Sequence, residues 1–142
     1  MQMKLFFLAA IACIGCKKET KPVDTCKVSE ATIAGIYLKT AVVYKSSSSS
    51  AAQDWFSGLQ ECEKDDLFEL KTDGSVVVDA VTTCPGPPLP GGVSAWSLSG
   101  GNTILSFDAV YTIDSFDCKK IVATEKDFLV VGDSRTVTLV KQ

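Results

Sequence analysis

From about residue 35 onward, the chain alternates short runs of β-branched and aromatic residues with turn residues. The first run, Ile36–Tyr44, is long enough for a β-strand. Eight or nine such runs with almost no helix predict an all-β antiparallel barrel or sandwich, and their short links favour an up-and-down order. The later candidates are Asp66–Lys71, Ser75–Asp79, Val93–Leu98, Thr103–Phe107, Val110–Ile113, Lys120–Thr124, Asp127–Val131 and Thr136–Val140.

The clearest local signal is a hairpin around Thr72, Asp73 and Gly74. A three-residue loop that ends in glycine predicts a type I turn followed by a bulge, with Gly74 in the left-handed region. This turn fixes the register of the two strands, so that the position numbers of each facing pair add to 146. The predicted pairs are Phe68 with Val78, Leu70 with Val76, Glu69 with Val77, Leu67 with Asp79 and Asp66 with Ala80.

A different pattern occupies the N-terminus, where Lys4 precedes an apolar run of 11 residues, Leu5–Gly15. This order is typical of a secretory signal, and the run is shorter than the roughly 20 residues that span a bilayer. Its end, Cys13-Ile14-Gly15-Cys16, resembles the lipobox of bacterial lipoprotein signal peptides. In that family the peptide is cut before the cysteine, which then carries acyl chains. The resemblance implies lipidation at Cys16, with Cys13 as the alternative acceptor.

This resemblance divides the chain into three predicted parts. They are a lipoprotein signal peptide over residues 1–15, a lipidated tether over 16–32 and the β-rich domain over 33–142. We expect attachment to a membrane through the acyl chains and a location in the cell envelope, at the periplasmic or surface face of the outer membrane.

Composition argues against several classes of function. The chain has no histidine, which removes the commonest general base and metal ligand and every Ser-His or Cys-His nucleophile pair. Loss of Lys4 with the signal would leave 13 basic against 17 acidic residues, a net charge of −4 without a basic stripe for nucleic acid. The carboxylates between Glu61 and Glu69 do not have the spacing of an EF-hand loop. We therefore expect no enzymatic activity, no catalytic residue, no metal and no cofactor.

Four cysteines follow Cys16, namely Cys26, Cys62, Cys84 and Cys118. An even number in an exported domain indicates two disulfides, for which three pairings exist. The extended hairpin register favours Cys62–Cys84, because facing residues at non-hydrogen-bonded positions have Cα atoms about 4.5 Å apart. Cys26–Cys118 then follows by elimination.

Residues along nearly the whole β-rich region carry a second resemblance. Gly35-x-Tyr37 opens the first strand, and Cys62 and Cys84 flank the hairpin. Further elements are Gly92 followed by Trp96-Ser-Leu98, then Tyr111–Ile113, Asp127–Val130 and Val137–Lys141. In this order they resemble the small lipocalin-like domain of many Gram-negative lipoproteins, although that family usually has Trp where Tyr37 stands. The resemblance implies an eight-stranded antiparallel up-and-down barrel with a Cys62–Cys84 bridge.

Such a barrel is either filled by its own side chains or holds one small ligand. The first hypothesis is a small hydrophobic ligand, such as a lipid or fatty acid, in the barrel. The alternative is a filled barrel that binds a protein partner of unknown identity through the Pro85–Pro90 and Ser46–Ser50 loops. Trp55 and Phe56 are predicted to cap the core, with a mobile lid as the alternative role. The predicted inward residues are Leu38, Phe68, Leu70, Val76, Val78, Trp96, Leu98, Leu105 and Phe107.

Overall fold

The computed structural model describes residues 26–85 and 94–142. The predicted signal peptide, Cys13, Cys16 and most of the Pro85–Pro90 loop lie outside these residues. Among the residues described, no helix is both long and apolar enough to cross a bilayer.

The described residues form ten strands and two short helices. The helices are α1 (Glu30–Ile33) and α2 (Glu61–Lys64). The strands are β1 (Gly35–Lys45), β2 (Gln53–Asp54), β3 (Leu67–Leu70), β4 (Ser75–Asp79), β5 (Ser94–Ala95), β6 (Ser97–Ser99), β7 (Ile104–Ser106), β8 (Val110–Phe116), β9 (Lys120–Lys126) and β10 (Ser134–Lys141).

The strands form one antiparallel sheet that closes almost completely into a barrel. Their spatial order is β5-β4-β3-β1-β10-β9-β8-β7-β6, with β2 as a branch on β1. β1 pairs with both β3 and β10, so the first strand joins the last one. The all-β class and the up-and-down order are confirmed, and the sandwich alternative is wrong. Nine strands lie along the path instead of the eight expected.

Trp96 connects the two ends of this path. β5 precedes it and pairs with β4, whereas β6 follows it and pairs with β7. The Trp96 backbone N–H donates to the Gly74 carbonyl at 2.8 Å, and its indole N–H donates to the Lys71 carbonyl at 2.6 Å. The side chain is buried. The chain therefore changes strand partners at a residue that is itself fixed to the β3–β4 turn.

A β-bulge in β1 decides which residues face the interior. The register with β10 shifts between Lys39 and Ala41, around Thr40. After the bulge, Val42 and Tyr44 are buried, as simple alternation from Leu38 would predict. Before the bulge the inward positions are Tyr37, which is fully buried, and Lys39, which faces the buried Leu139 of β10.

The prediction that Leu38 faces inward is therefore wrong. It pairs with Leu67 on one side and Val140 on the other, on the face opposite Tyr37. The extra residue at Thr40 reverses the faces of the preceding segment, because successive side chains of a strand alternate between faces.

The barrel has two different ends. At the α1 end, Ile33 is fully buried, and its carbonyl accepts a hydrogen bond from the Tyr37 hydroxyl at 2.5 Å. A Ser29 capping box begins this helix, and the Lys141 ammonium donates to the Thr32 carbonyl at its end. The opposite end, called the α2 end here, contains α2, the start of β3 and the β9–β10 loop, 127–133.

The hairpin prediction is confirmed in its register. Leu67–Leu70 pair with Val76–Asp79 as expected, and Gly74 has a φ of 82° in the turn. The pair of Asp66 with Ala80 does not form, because β3 begins only at Leu67 and β4 ends at Asp79.

Both predicted disulfides are present. Cys62–Cys84 has a Cα separation of 5.2 Å and Cys26–Cys118 one of 5.6 Å. Cys62 nevertheless lies in α2 and not in the extended hairpin strand from which the first pair was predicted. Helix and loop bring the two sulfur atoms together beyond the point where the ladder ends.

Two predicted boundaries require correction. Asp127–Val131 is not a strand but most of the β9–β10 loop, with Asp127 in the left-handed region at φ 56°. Residues 26–32, assigned to the tether, lie with the barrel, because Val28 packs on the core and Cys26 is bonded to Cys118.

Deleting each disulfide tests their relative contributions to stability. Cys26–Cys118 closes a sequence separation of 92 residues and Cys62–Cys84 one of 22. Loop-closure entropy predicts losses in unfolding free energy of roughly 4.5 and 3.5 kcal/mol, respectively, for paired Cys→Ser variants. Urea unfolding measures both. A larger loss for the Cys62/Cys84 variant would contradict this order.

Candidate functional site

The interior at the α2 end contains the only arginine of the sequence, Arg135. It lies in β10 on the same face as the buried Val137 and Leu139, two and four residues later, so its side chain enters the barrel. Its Nε atom donates to Glu125 Oε2 at 3.0 Å, and its Nη2 atom donates to the Tyr111 hydroxyl at 2.8 Å and lies 2.8 Å from the same Glu125 oxygen. Both members of the ion pair are mostly buried, which weakens screening by water.

Aromatic rings surround this ion pair. The Arg135 guanidinium lies 4.1 Å from the centroid of Phe128, a cation–π contact. Phe107 stacks on Tyr111 with centroids 5.1 Å apart, and Phe68 meets Phe107 edge to face at 6.2 Å. Burial is the main cause that raises the pKa of the Tyr111 hydroxyl, so this hydroxyl stays protonated as a hydrogen-bonding group.

Lys39 is the second interior cation. Its ammonium lies 5.1 Å from the centroid of Phe68 and makes neither a hydrogen bond nor an ion pair with any described residue. Burial lowers the pKa of Lys39, and Arg135 lowers it further, whereas the nearby Asp108 and Asp66 act in the opposite direction. The barrel therefore holds a partly desolvated cation next to an aromatic wall.

Asp133 organises the loop above this interior. It is buried, and its Oδ2 atom accepts hydrogen bonds from the Tyr44 hydroxyl at 3.0 Å and from the backbone N–H groups of Leu129 and Val130 at 3.1 and 3.2 Å. Burial opposes its ionised form, but these bonds outweigh burial and lower the pKa of Asp133. The negative carboxylate is therefore the form that holds the loop.

Trp55 and Phe56 lie over the same end. Trp55 stacks on Tyr44 with centroids 4.2 Å apart, and its backbone N–H donates to the Val42 carbonyl at 2.9 Å. Phe56 donates to the same carbonyl at 3.2 Å. Both side chains are half-buried against the core, an arrangement that fits the predicted cap.

Most of the other predicted inward residues lie on the interior face. Val78 faces Phe68 but is about half exposed, because it lies near the end of β4. The residues that the structure brings into or against the core are Phe68, Leu70, Val76, Trp96, Leu98, Leu105 and Phe107.

The two best-defined concave surfaces of the described residues both lie outside the barrel. One, of about 510 Å³, lies between α1 and the β3–β4 turn and includes Ala34 and Thr72. The other, of about 160 Å³, lies on the outer wall between Ile36, Leu67 and Val77. Large side chains occupy the interior instead, and those with essentially no exposed surface are Tyr37, Tyr111, Ile33, Leu70, Leu105, Ile121 and Leu139.

The interior positions of the polar residues Lys39, Tyr111, Arg135 and Asp133 were not predicted from the sequence. The position of Arg135 could have been predicted, because this single arginine shares one strand face with the apolar residues Val137 and Leu139. Lys39 could not be found in this way, because the bulge at Thr40 sets its direction. In the part of the chain that the structure describes, no group of three metal-ligating side chains is present.

Replacing Asp133 by asparagine tests its role in the loop. A carboxyl whose pKa is depressed by folding stabilises the fold above its unfolded pKa, near 4, and loses that effect as the pH falls through the lower folded value. We expect Asp133→Asn to lower the melting temperature by several degrees at neutral pH. The difference from wild type should shrink as the pH falls toward 3. Thermal unfolding followed by circular dichroism at several pH values measures this, and a constant difference would contradict it.

Replacing Lys39 by methionine tests whether its interior cation costs stability. Methionine has similar length and needs no partner, so we expect Lys39→Met to raise the unfolding free energy by about 1 kcal/mol. The control Lys126→Met changes an exposed lysine near the same end and should shift it by less than about 0.5 kcal/mol. Chemical denaturation measures both. Destabilisation by Lys39→Met would mean that attraction to Asp66 and Asp108 dominates.

No protein-family model matches this sequence, and no curated protein is similar to it at a significant level. The site must therefore be interpreted from its own residues.

Proposed function

We propose that this protein is an exported, membrane-anchored, lipocalin-like lipoprotein whose barrel is filled and acts through its surface. The observation that carries the proposal is the combination of a cysteine-terminated signal pattern with two disulfides. Disulfides are typical of proteins outside the reducing cytosol. Cys26, the first cysteine after the predicted lipid site Cys16, is tied to Cys118 at the α1 end.

The interior supports a filled core over a ligand-carrying one. Buried tyrosine, leucine and isoleucine side chains pack where a ligand would lie, and the two best-defined concave surfaces of the described residues are outside the wall. Barrels of about eight strands are just wide enough for their side chains to fill them. We count eight by taking β5 and β6 as one strand interrupted at Trp96 and by leaving β2 out as a branch.

Binding of a small ligand is the second candidate, and one observation favours it. Lys39 lies within the barrel beside Phe68 and has no direct partner among the described residues, so an amphipathic molecule with a polar end could pair with it. The ligand would have to displace side chains that now fill the interior. Native mass spectrometry of protein extracted from membranes distinguishes the candidates, since a filled barrel gives the mass of the lipoprotein alone.

The intact mass of protein extracted from membranes tests the anchor. We expect loss of residues 1–15, an added acyl mass at Cys16 and a gain of four hydrogen atoms on reduction of the two disulfides. Cys16→Ser should move the protein from the membrane to the soluble fraction, whereas Cys13→Ser should leave it in the membrane. A mass that retains Met1 and carries no acyl group would contradict the proposal.

A further inference from the structure

Exposed aliphatic side chains are concentrated at the α2 end of the barrel. The described residues include seven large hydrophobic side chains with high exposure, and only Ile36 is on the wall near the other end. The six at the α2 end are Val78, Val81, Val110, Leu129, Val130 and Val131. Three of them are consecutive and form the tip of the β9–β10 loop, with exposures of 60, 58 and 93 %.

This tip is held outward by hydrogen bonds. Asp133 Oδ2 accepts from the N–H groups of Leu129 and Val130, and Asp127 Oδ1 accepts from Gly132 at 2.7 Å. The backbone of Asp127 donates to the Asp133 carbonyl at 3.0 Å. Turning the aliphatic side chains inward would break bonds to a buried carboxylate, so the loop keeps its apolar surface in water.

Phe128 completes the arrangement from the other side. It precedes the tip, is half-buried, and lies against Arg135 and Trp55 at the end of the barrel. The loop is thus amphipathic across its thickness, with one aromatic side chain fixed within the fold and three aliphatic ones directed outward.

We propose that Leu129, Val130 and Val131 insert into the apolar region of a lipid bilayer. Their chemistry favours lipid over a protein partner, because protein interfaces depend on aromatic and arginine side chains and use leucine and valine less. The residues that line the two concave surfaces described above do not include the tip. Lys126 and Asp127, which precede the tip, have opposite charges, and the Asp133 carboxylate that follows it is buried, so insertion should depend little on salt.

The segment between Cys16 and Cys26 is long enough for the loop and the lipid anchor to reach the same membrane. The ten residues from Cys16 to Cys26 span at most about 35 Å, whereas the eight residues of β10 rise about 27 Å along the wall. The tether leaves from the α1 end and can still reach a bilayer in contact with the α2 end. The inference that the tip inserts into the membrane that also holds the acyl chains rests on the proposed function. The inference that the tip inserts into a bilayer does not.

Tryptophan scanning with brominated lipid tests the proposal on the full chain. Val131→Trp places a fluorophore at the tip, and Ile36→Trp places one at an exposed site on the wall as a matched control. The protein is reconstituted into phosphatidylcholine vesicles with or without bromine on the acyl chains, and the wild-type signal of Trp55 and Trp96 is subtracted. We expect about twofold quenching of the added fluorescence for Val131→Trp and little for Ile36→Trp.

A second variant and a flotation measurement separate insertion of the tip from attachment through the lipid anchor. Adding Leu129→Asp and Val130→Asp to Val131→Trp should abolish the quenching, because carboxylates resist transfer into hydrocarbon. Absence of quenching for Val131→Trp, or equal quenching of Ile36→Trp, would overturn the proposal. Flotation of the variant that carries Leu129→Asp and Val130→Asp reports the lipid anchor independently of the loop, because this variant keeps Cys16 and lacks the apolar tip.

Discussion

The interior of this barrel depends on one irregularity in its first strand. β1 pairs with β3 and β10 and so closes the sheet, and the bulge at Thr40 lies within this doubly paired strand. One additional residue lets Val42 and Tyr44 face the core together with Tyr37 and Lys39. Without it, Leu38 and Thr40 would be inside together with Val42 and Tyr44, and Lys39 would be outside.

The two ends of the barrel are stabilised by different chemistry. At the α1 end, a capped helical turn buries Ile33, and Cys26–Cys118 ties the incoming chain to the β8–β9 turn. At the α2 end, polar groups dominate: the Arg135–Glu125 pair lies inside and the Asp133 carboxylate holds the loop. One end is thus suited to receive a tether, and the other presents a fixed loop with an apolar tip.

Features that depend on residues close together in the chain could be predicted from the sequence. The Thr72–Gly74 turn determines the β3–β4 register through the left-handed Gly74, and this register could be predicted to the residue. The Cys62–Cys84 pair was predicted correctly from a ladder that does not extend so far, since α2 takes over. Its correct identity therefore owes more to proximity along the chain than to strand geometry.

Features that depend on distant residues could not be predicted. Leu129, Val130 and Val131 have the composition of a strand, but Asp133 holds the backbone of Leu129 and Val130 in a loop, and Asp133 itself accepts a hydrogen bond from the distant Tyr44 of β1. Lys39 looks like a surface residue until the bulge and the pairing with β10 are known. In both cases a contact made by another strand overrides local preference.

Nuclear Overhauser contacts of the β1 side chains test the bulge, and with it the interior, most directly. If the bulge is at Thr40, we expect contacts from the Lys39 methylene protons to the Phe68 ring and from Leu38 to Leu67 and Val140. Contacts from Leu38 to the Phe68 ring, with a solvent-exposed Lys39, would contradict it.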